Sequence, residues 1–153
     1  MTKNISGSVP ASLLAPTCCL LDELILICSS SHRFAGLSAI DPAELEKEDF
    51  IIRETGSGTR KIFESAMSAN DIAWRAAWIC NNTSAIIVAV STGLGVSVIS
   101  RRSVENEVKN GTLMEKELQG ITFKRKFKSV YHRNKFLTDK MKLFLDICIN
   151  TQK

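Results

Sequence analysis

Four short, largely apolar runs punctuate this chain: Leu24–Cys28, Phe50–Ile52, Trp78–Cys80 and Val96–Ile99, each followed within a few residues by Ser, Asn or Gly. The first, a continuous apolar run closed by Ser29-Ser30-Ser31, suits a strand covered on both faces, as in parallel sheets, and the other three read as strands. Between them the spacing becomes helical. Ile62, Phe63, Ala66 and Met67 form one stripe after Gly58. Ile86, Ile87, Ala89 and Val90 form another after a cap at Thr83 or Ser84, with Gly93 placed to close it in the left-handed conformation. The order strand, helix, strand, helix, strand predicts an α/β fold with a mostly parallel sheet and right-handed crossovers.

Flanking segments are less regular. Residues 1–20, with Gly7, Pro10 and Pro16, read as an irregular amino end. Asp41-Pro42-Ala43-Glu44-Leu45 reads as one helical turn, with an acid at the cap and proline at the first helical position. Phe123, Phe127 and Tyr131 have a spacing that fits a helix face or one side of a strand. Gly120 and the length favour a strand, with Lys124, Lys126 and Lys128 on its other side. Thr138 is placed to cap a last helix carrying Met141, Phe144, Leu145 and Cys148 on one face.

Composition narrows the function classes. With 44% hydrophobic and 24% charged residues and a net charge of +4, the chain is neither disordered nor strongly polyionic. The basic charge is concentrated between Ile121 and Lys142, where eight Lys or Arg against one acid carry +7 and leave −3 for the remainder. Such a run meets phosphate, a membrane surface or an acidic partner, or more often is simply a solvated face. Five cysteines without C-x-x-C spacing and two distant histidines, His32 and His132, supply neither a zinc framework nor a disulfide scaffold. No cofactor or metal is expected. Pro16, Asp22 and Glu23 interrupt the apolar stretch near the amino end, so neither a membrane span nor a signal peptide is expected there.

The segment richest in chemistry is Arg53-Glu54-Thr55-Gly56-Ser57-Gly58-Thr59-Arg60, between an expected strand and an expected helix. Open α/β sheets bind ligands at such strand ends. Gly56 and Gly58 let amides approach a guest, the helix start adds partial positive charge, and Ser57 and Thr59 offer hydroxyl donors. A small anion pocket follows, or Ser57 or Thr59 merely caps the helix. The spacing excludes a G-x-S-x-G elbow and a Walker loop. No histidine stands where it would activate a nucleophile, so an enzyme is not expected.

Taken in order, Asp22–Ile27, Ile51–Arg60, Asn82–Ile86, Val88–Ile99, Val108–Leu113 and Phe144–Asp146 resemble the effector-binding domain of LysR-type transcription regulators, over about Leu21 to Ile149. The resemblance implies a periplasmic-binding-protein type II fold of two α/β lobes around a cleft. It assigns residues 21–150 to that domain, with about 29–118 as the second lobe and 121–150 as the return segment and terminal helix of the first. It implies a small carboxylate, sulfate or phosphate guest, cytoplasmic location and self-association. DNA contact would come only through a helix-turn-helix that this sequence lacks. Gly56, Ser57, Gly58 and Thr59 would line the cleft, with Thr83 and Ser84 as a second edge and the turn at Ser100 as a third. The sequence departs from the family after Ile99, where Ser100-Arg101 replaces an expected proline, and at Ser31-His32-Arg33-Phe34. The alternatives are a basic nucleic-acid-binding module and a solute-binding domain of a transport system.

Overall fold

The structure, a computed structural model, describes residues 14–132 and 134–150. They form two compact units, 22–125 and a smaller one made of 14–21 and 126–150.

The larger unit is built on two hydrogen-bonded sheets, bridged from Phe50 to Val96, with helices on both faces. Strand β1 (Leu14–Ser29) runs antiparallel to both neighbours, β5 (Ser97–Ser100) and β6 (Leu113–Leu118). Parallel pairings join β2 (Ala39–Ile40) to β6 and β3 (Asp49–Arg53) to β4 (Arg75–Cys80), with a parallel bridge from Phe50 to Val96. The sheet is therefore mostly parallel, with β1 as its one reversed strand. That reversal departs from the parallel setting expected of Leu24–Cys28, because residues bonded on both edges and covered on both faces need the same apolar run whichever way they point.

Alternation along the strands builds two cores. Leu24, Leu26, Cys28, Phe50, Ile52, Val96 and Val98 belong to one cluster with Phe63 and Met67 of helix α1 (Gly58–Ala69). Ile25, Ile27, Ile51 and Ile99 belong to the other, with Ile86, Ala89 and Val90 of helix α2 (Thr83–Ser91) and with Val104. Period-two side chains can serve two faces only if every position is apolar, which is what the run provides. Each such side chain stabilises by roughly 1.5–3 kcal/mol when fully buried. Under α1 the rings of Phe50 and Phe63 lie 4.9 Å apart and those of Phe63 and Trp74 5.0 Å apart, within favourable aromatic range.

Both helices end in left-handed turns. After α2, Gly93 at φ +83° donates to Val90 O at 3.0 Å while Leu94 N reaches Ala89 O at 3.1 Å. The expected cap at Thr83 or Ser84 is corrected: Asn82 holds that place, its Oδ1 accepting from Ser84 N (2.8 Å) and Ala85 N (3.3 Å). Helix α3 (Glu105–Lys109) and two 3₁₀ turns, Pro42–Lys47 capped by Asp41 and Arg101–Ser103, complete this unit.

In the smaller unit, most of strand β7 (Phe123–His132) is joined by helix α4 (Asp139–Asn150), and β7 pairs with β1. Thr138 Oγ1 accepts from Met141 N at 3.4 Å, as its capping role predicted. The irregular stretch expected over 1–20 is corrected where it can be seen, since β1 is already formed at Leu14; residues 1–13 lie outside the described residues, as does Arg133 of the basic run. Trp78 to Cys80 form the expected strand, and Trp78 and Ile79 remain about half exposed, since among the described residues β4 pairs with β3 alone and forms an edge.

Two outcomes follow for stability. Val96 N donates to Asp49 O at 2.9 Å, and a Cβ on Gly95 would fall 2.2 Å from that same oxygen. Gly95→Ala therefore costs about 2–4 kcal/mol in urea unfolding, by overpacking the joint between β3 and β5. Burial pushes the Cys28 thiol up from its usual 9.0 to about 11. The unfolded chain then loses this proton before the folded one, so stability drops as pH rises from 9 to 11. Cys28→Ala should shrink that drop by about 2–3 kcal/mol relative to the parent, read from unfolding curves at the two pH values.

Candidate anion-binding site

The turn between β3 and α1 is built by two glycines with different tasks. Gly56 sits at φ +95°, where a Cβ is strained, and turns the chain after the strand. Gly58 has an ordinary backbone, and a Cβ placed on it would meet nothing within 4 Å. Its lack of a side chain serves no internal packing and leaves the backbone of the helix start open. Ser57 stands at the N-cap position with an extended backbone, yet its hydroxyl makes no capping bond. The first bond of the helix runs from Lys61 N to Ser57 O at 3.0 Å, so the amides of Gly58, Thr59 and Arg60 precede it as the helix's unpaired donors. Those amides and an uncommitted serine hydroxyl make a neutral donor set suited to an anion.

Charges around the turn are balanced. Arg53 pairs with Glu54, its Nε 2.8 Å from Oε2, and Arg60 with Glu64 at 2.7 Å. The hydrogen bond from Arg53 holds the Glu54 carboxyl below its usual range, and the same bond raises the Arg53 guanidinium.

Thr59 is buried, and its Oγ1 accepts from Arg125 Nη1 at 3.0 Å. Arg125 in turn holds Asp22 Oδ2 through Nε at 2.6 Å, and the Ser100 hydroxyl donates to Asp22 Oδ1 at 2.7 Å. Thr59 and Ser100, 41 positions apart in the sequence, thus meet through two side chains that the sequence reading did not select. Thr83 joins the turn from another direction, accepting from Arg53 Nη1 at 3.4 Å. Ser84 is placed differently. Its amide is taken by Asn82, and the residue lines a shallow apolar depression with Trp78, Val88 and Leu94. Ser100 is followed by Arg101, which is tied to Glu23 and Glu115 at 2.6 Å each, so the turn after β5 is held from both sides. Among the described residues no group of three His, Cys, Asp or Glu is arranged to hold a metal.

A family model, the LysR substrate binding domain, matches residues 7–153. The chain belongs to that family. LysR-type relatives include the RuBisCO operon transcriptional regulator of Allochromatium vinosum, 34% identical over 76% of this chain and 39% of its own length. The HTH-type regulator YeiE of Escherichia coli is 33% identical, over 84% of this chain and 44% of its own, and the activator CmpR of Synechocystis is 32% identical, over 83% and 42%. This LysR domain therefore spans about two fifths of the length of these curated relatives. Among solved structures, the CcmR regulatory domain of Synechocystis in complex with 2-PG superposes with a TM-score of 0.84 at 27% identity, covering 95% of this chain and 71% of that one. The effector-binding domain of QuiR in complex with shikimate shares the fold, with a TM-score of 0.79 at 16% identity over 95% and 68%.

Asp22 and Arg125 escaped the sequence reading of this LysR domain for different reasons. Asp22 adjoins the most apolar run of the chain, and an acid there is a signal, because only a partnered carboxylate is buried beside such a strand. Arg125 lies within a run of basic residues, and nothing in one-dimensional spacing separates it from Lys124 or Lys126.

The two glycines differ measurably. Gly58→Ala leaves urea stability within about 1 kcal/mol of the parent, on the stabilising side. Gly56→Ala lowers it by about 1–2 kcal/mol.

Proposed function

We propose that this chain is the effector-sensing part of a LysR-type transcription regulator and that its turn 55–59 binds a small anion of the carboxylate, sulfate or phosphate type. The observation that carries this reading is the helix start at Gly58. Three first-turn amides, an uncapped Ser57 hydroxyl and an open face at Gly58 gather at one strand end. The relative CcmR, solved with 2-PG, a small anion, supports the choice of guest class.

In this reading the unit 22–125 corresponds to the second lobe and carries the anion turn itself. Residues 126–150 belong to the first. The protein works by binding and not by catalysis, in the cytoplasm, where regulators of this family meet DNA. No helix among the described residues is long and apolar enough to cross a membrane. DNA contact falls to a helix-turn-helix, which is not among the described residues. Self-association is supported by the apolar edge at β4, where Trp78 and Ile79 are about half exposed, and by the exposed Leu143, Phe144 and Ile147 of α4. The nucleic-acid reading is not favoured. Lys124, Lys126 and Lys128 alternate along β7 with Phe123 and Phe127, and a stacking platform needs cations and rings on one side.

Calorimetry of the chain with 2-phosphoglycolate, sulfate and a set of small carboxylates tests the proposal. Ser57→Ala and Thr59→Ala should each weaken the best anion by about tenfold or more, the value of a hydrogen bond to a charged group. Equal affinity in parent and both variants sinks it.

A further inference from the structure

We propose that Arg125 is a positioning residue for this site, fixing Thr59 as a hydrogen-bond donor toward the guest; the inference rests on the anion reading above and adds how that site is set. The argument begins with hydroxyl chemistry. Threonine carries one O–H proton and two acceptor lone pairs, whereas a guanidinium only donates. With Arg125 Nη1 donating to Thr59 Oγ1 at 3.0 Å, the threonine's own proton must point to some other acceptor. An anion at the helix start is such an acceptor, and Thr59 is the second residue of that helix.

The guanidinium is itself held. Its Nε lies 2.6 Å from Oδ2 of Asp22, whose side chain is 1% exposed, and Oδ1 of the same carboxylate accepts from Ser100 at 2.7 Å. One buried carboxylate thus grips Arg125 on one oxygen and Ser100 on the other. This divides the roles of the two hydroxyls. Ser100 has spent its proton on Asp22 and offers a guest lone pairs only, so it steadies the relay, while Thr59 donates. The fork matters as much as the charge, since Nε and Nη1 act at once in different directions. A lysine ammonium at the same place is a single point on a flexible stem. Asp22 and Arg125 are also the first and last residues of the larger unit, so the relay attaches the anion turn to both strands by which the chain leaves that unit.

The test is calorimetry of the whole chain with 2-phosphoglycolate and with inorganic phosphate, with thermal melting as a check on folding. Arg125→Lys and Arg125→Gln should weaken binding about equally, by roughly tenfold, although only one of them removes the charge. Thr59→Ser should stay within about threefold of the parent, because its hydroxyl is retained. Thr59→Val should lose roughly tenfold, and adding Arg125→Lys to Thr59→Val should cost little more, the signature of two residues acting as one. Additive losses, or a normal affinity in a folded Arg125→Lys variant, overturn the inference. Should both Arg125 variants unfold, Ser100→Ala replaces them. It should weaken binding by about two- to threefold in the parent and not at all beside Thr59→Val, and an unchanged affinity in the parent background overturns the inference. Ser57→Ala separates the two levels. If it weakens binding while Arg125→Lys does not, only the positioning role falls; if neither does, the anion reading falls with it.

Discussion

Strand β1 is bonded on both edges and covered on both faces, and the architecture depends on that double enclosure. Leu24, Leu26 and Cys28 feed the core beneath α1, and Ile25 and Ile27 feed the core beneath α2. A polar residue anywhere from 24 to 28 would leave one layer with an unsatisfied group, since neither face meets water. The strand's antiparallel direction sets its neighbours' geometry as well. It lets β5 and β6 run the same way on its two sides, which brings Ser100 at the end of β5 beside Asp22.

Where the apolar run stops, polar chemistry begins. Asp22 precedes the first fully buried pair of the run, and the carboxylate is kept there by Ser100 and Arg125 together. A buried charge with both oxygens engaged contributes more to specificity than to stability, because desolvation offsets much of what the pairing returns. The relay serves geometry better than energy: it sets which hydroxyl donates and holds the turn 55–59 against the sheet. Charge balance near the turn points the same way, since Arg53 and Arg60 are paired with Glu54 and Glu64. Affinity for an anion would then come from fixed dipoles, which cost little reorganisation when a guest arrives.

The helix starts illustrate how one chemical pattern divides by context. Both α1 and α2 open on Ser- or Thr-containing segments after a strand. At α2, Asn82 reaches forward and takes the amides of Ser84 and Ala85, closing that end. At α1, Ser57 leaves the corresponding amides untouched and Gly58 clears space above them. Sequence spacing alone gives the two starts equal standing; whether the cap side chain takes the first amides separates them.

Continuous apolar runs, helical stripes and turn residues were enough to predict four strands of the larger unit, its two main helices, the mostly parallel sheet and the candidate turn, because these depend on local periodicity and on glycine's backbone freedom. The ordered set of segments also carried the family. Strands β2 and β6 and helix α3 were not legible, since β6 (Leu113–Leu118) holds three charged residues and takes its place only by pairing with β1. The direction of β1, the exposure of Trp78 and the union of Asp22, Ser100, Thr59 and Arg125 were decided by tertiary structure alone. Hydrogen bonds between residues as far apart as 22 and 125 leave no periodic trace in a sequence, because only the pairing of strands brings such positions within reach.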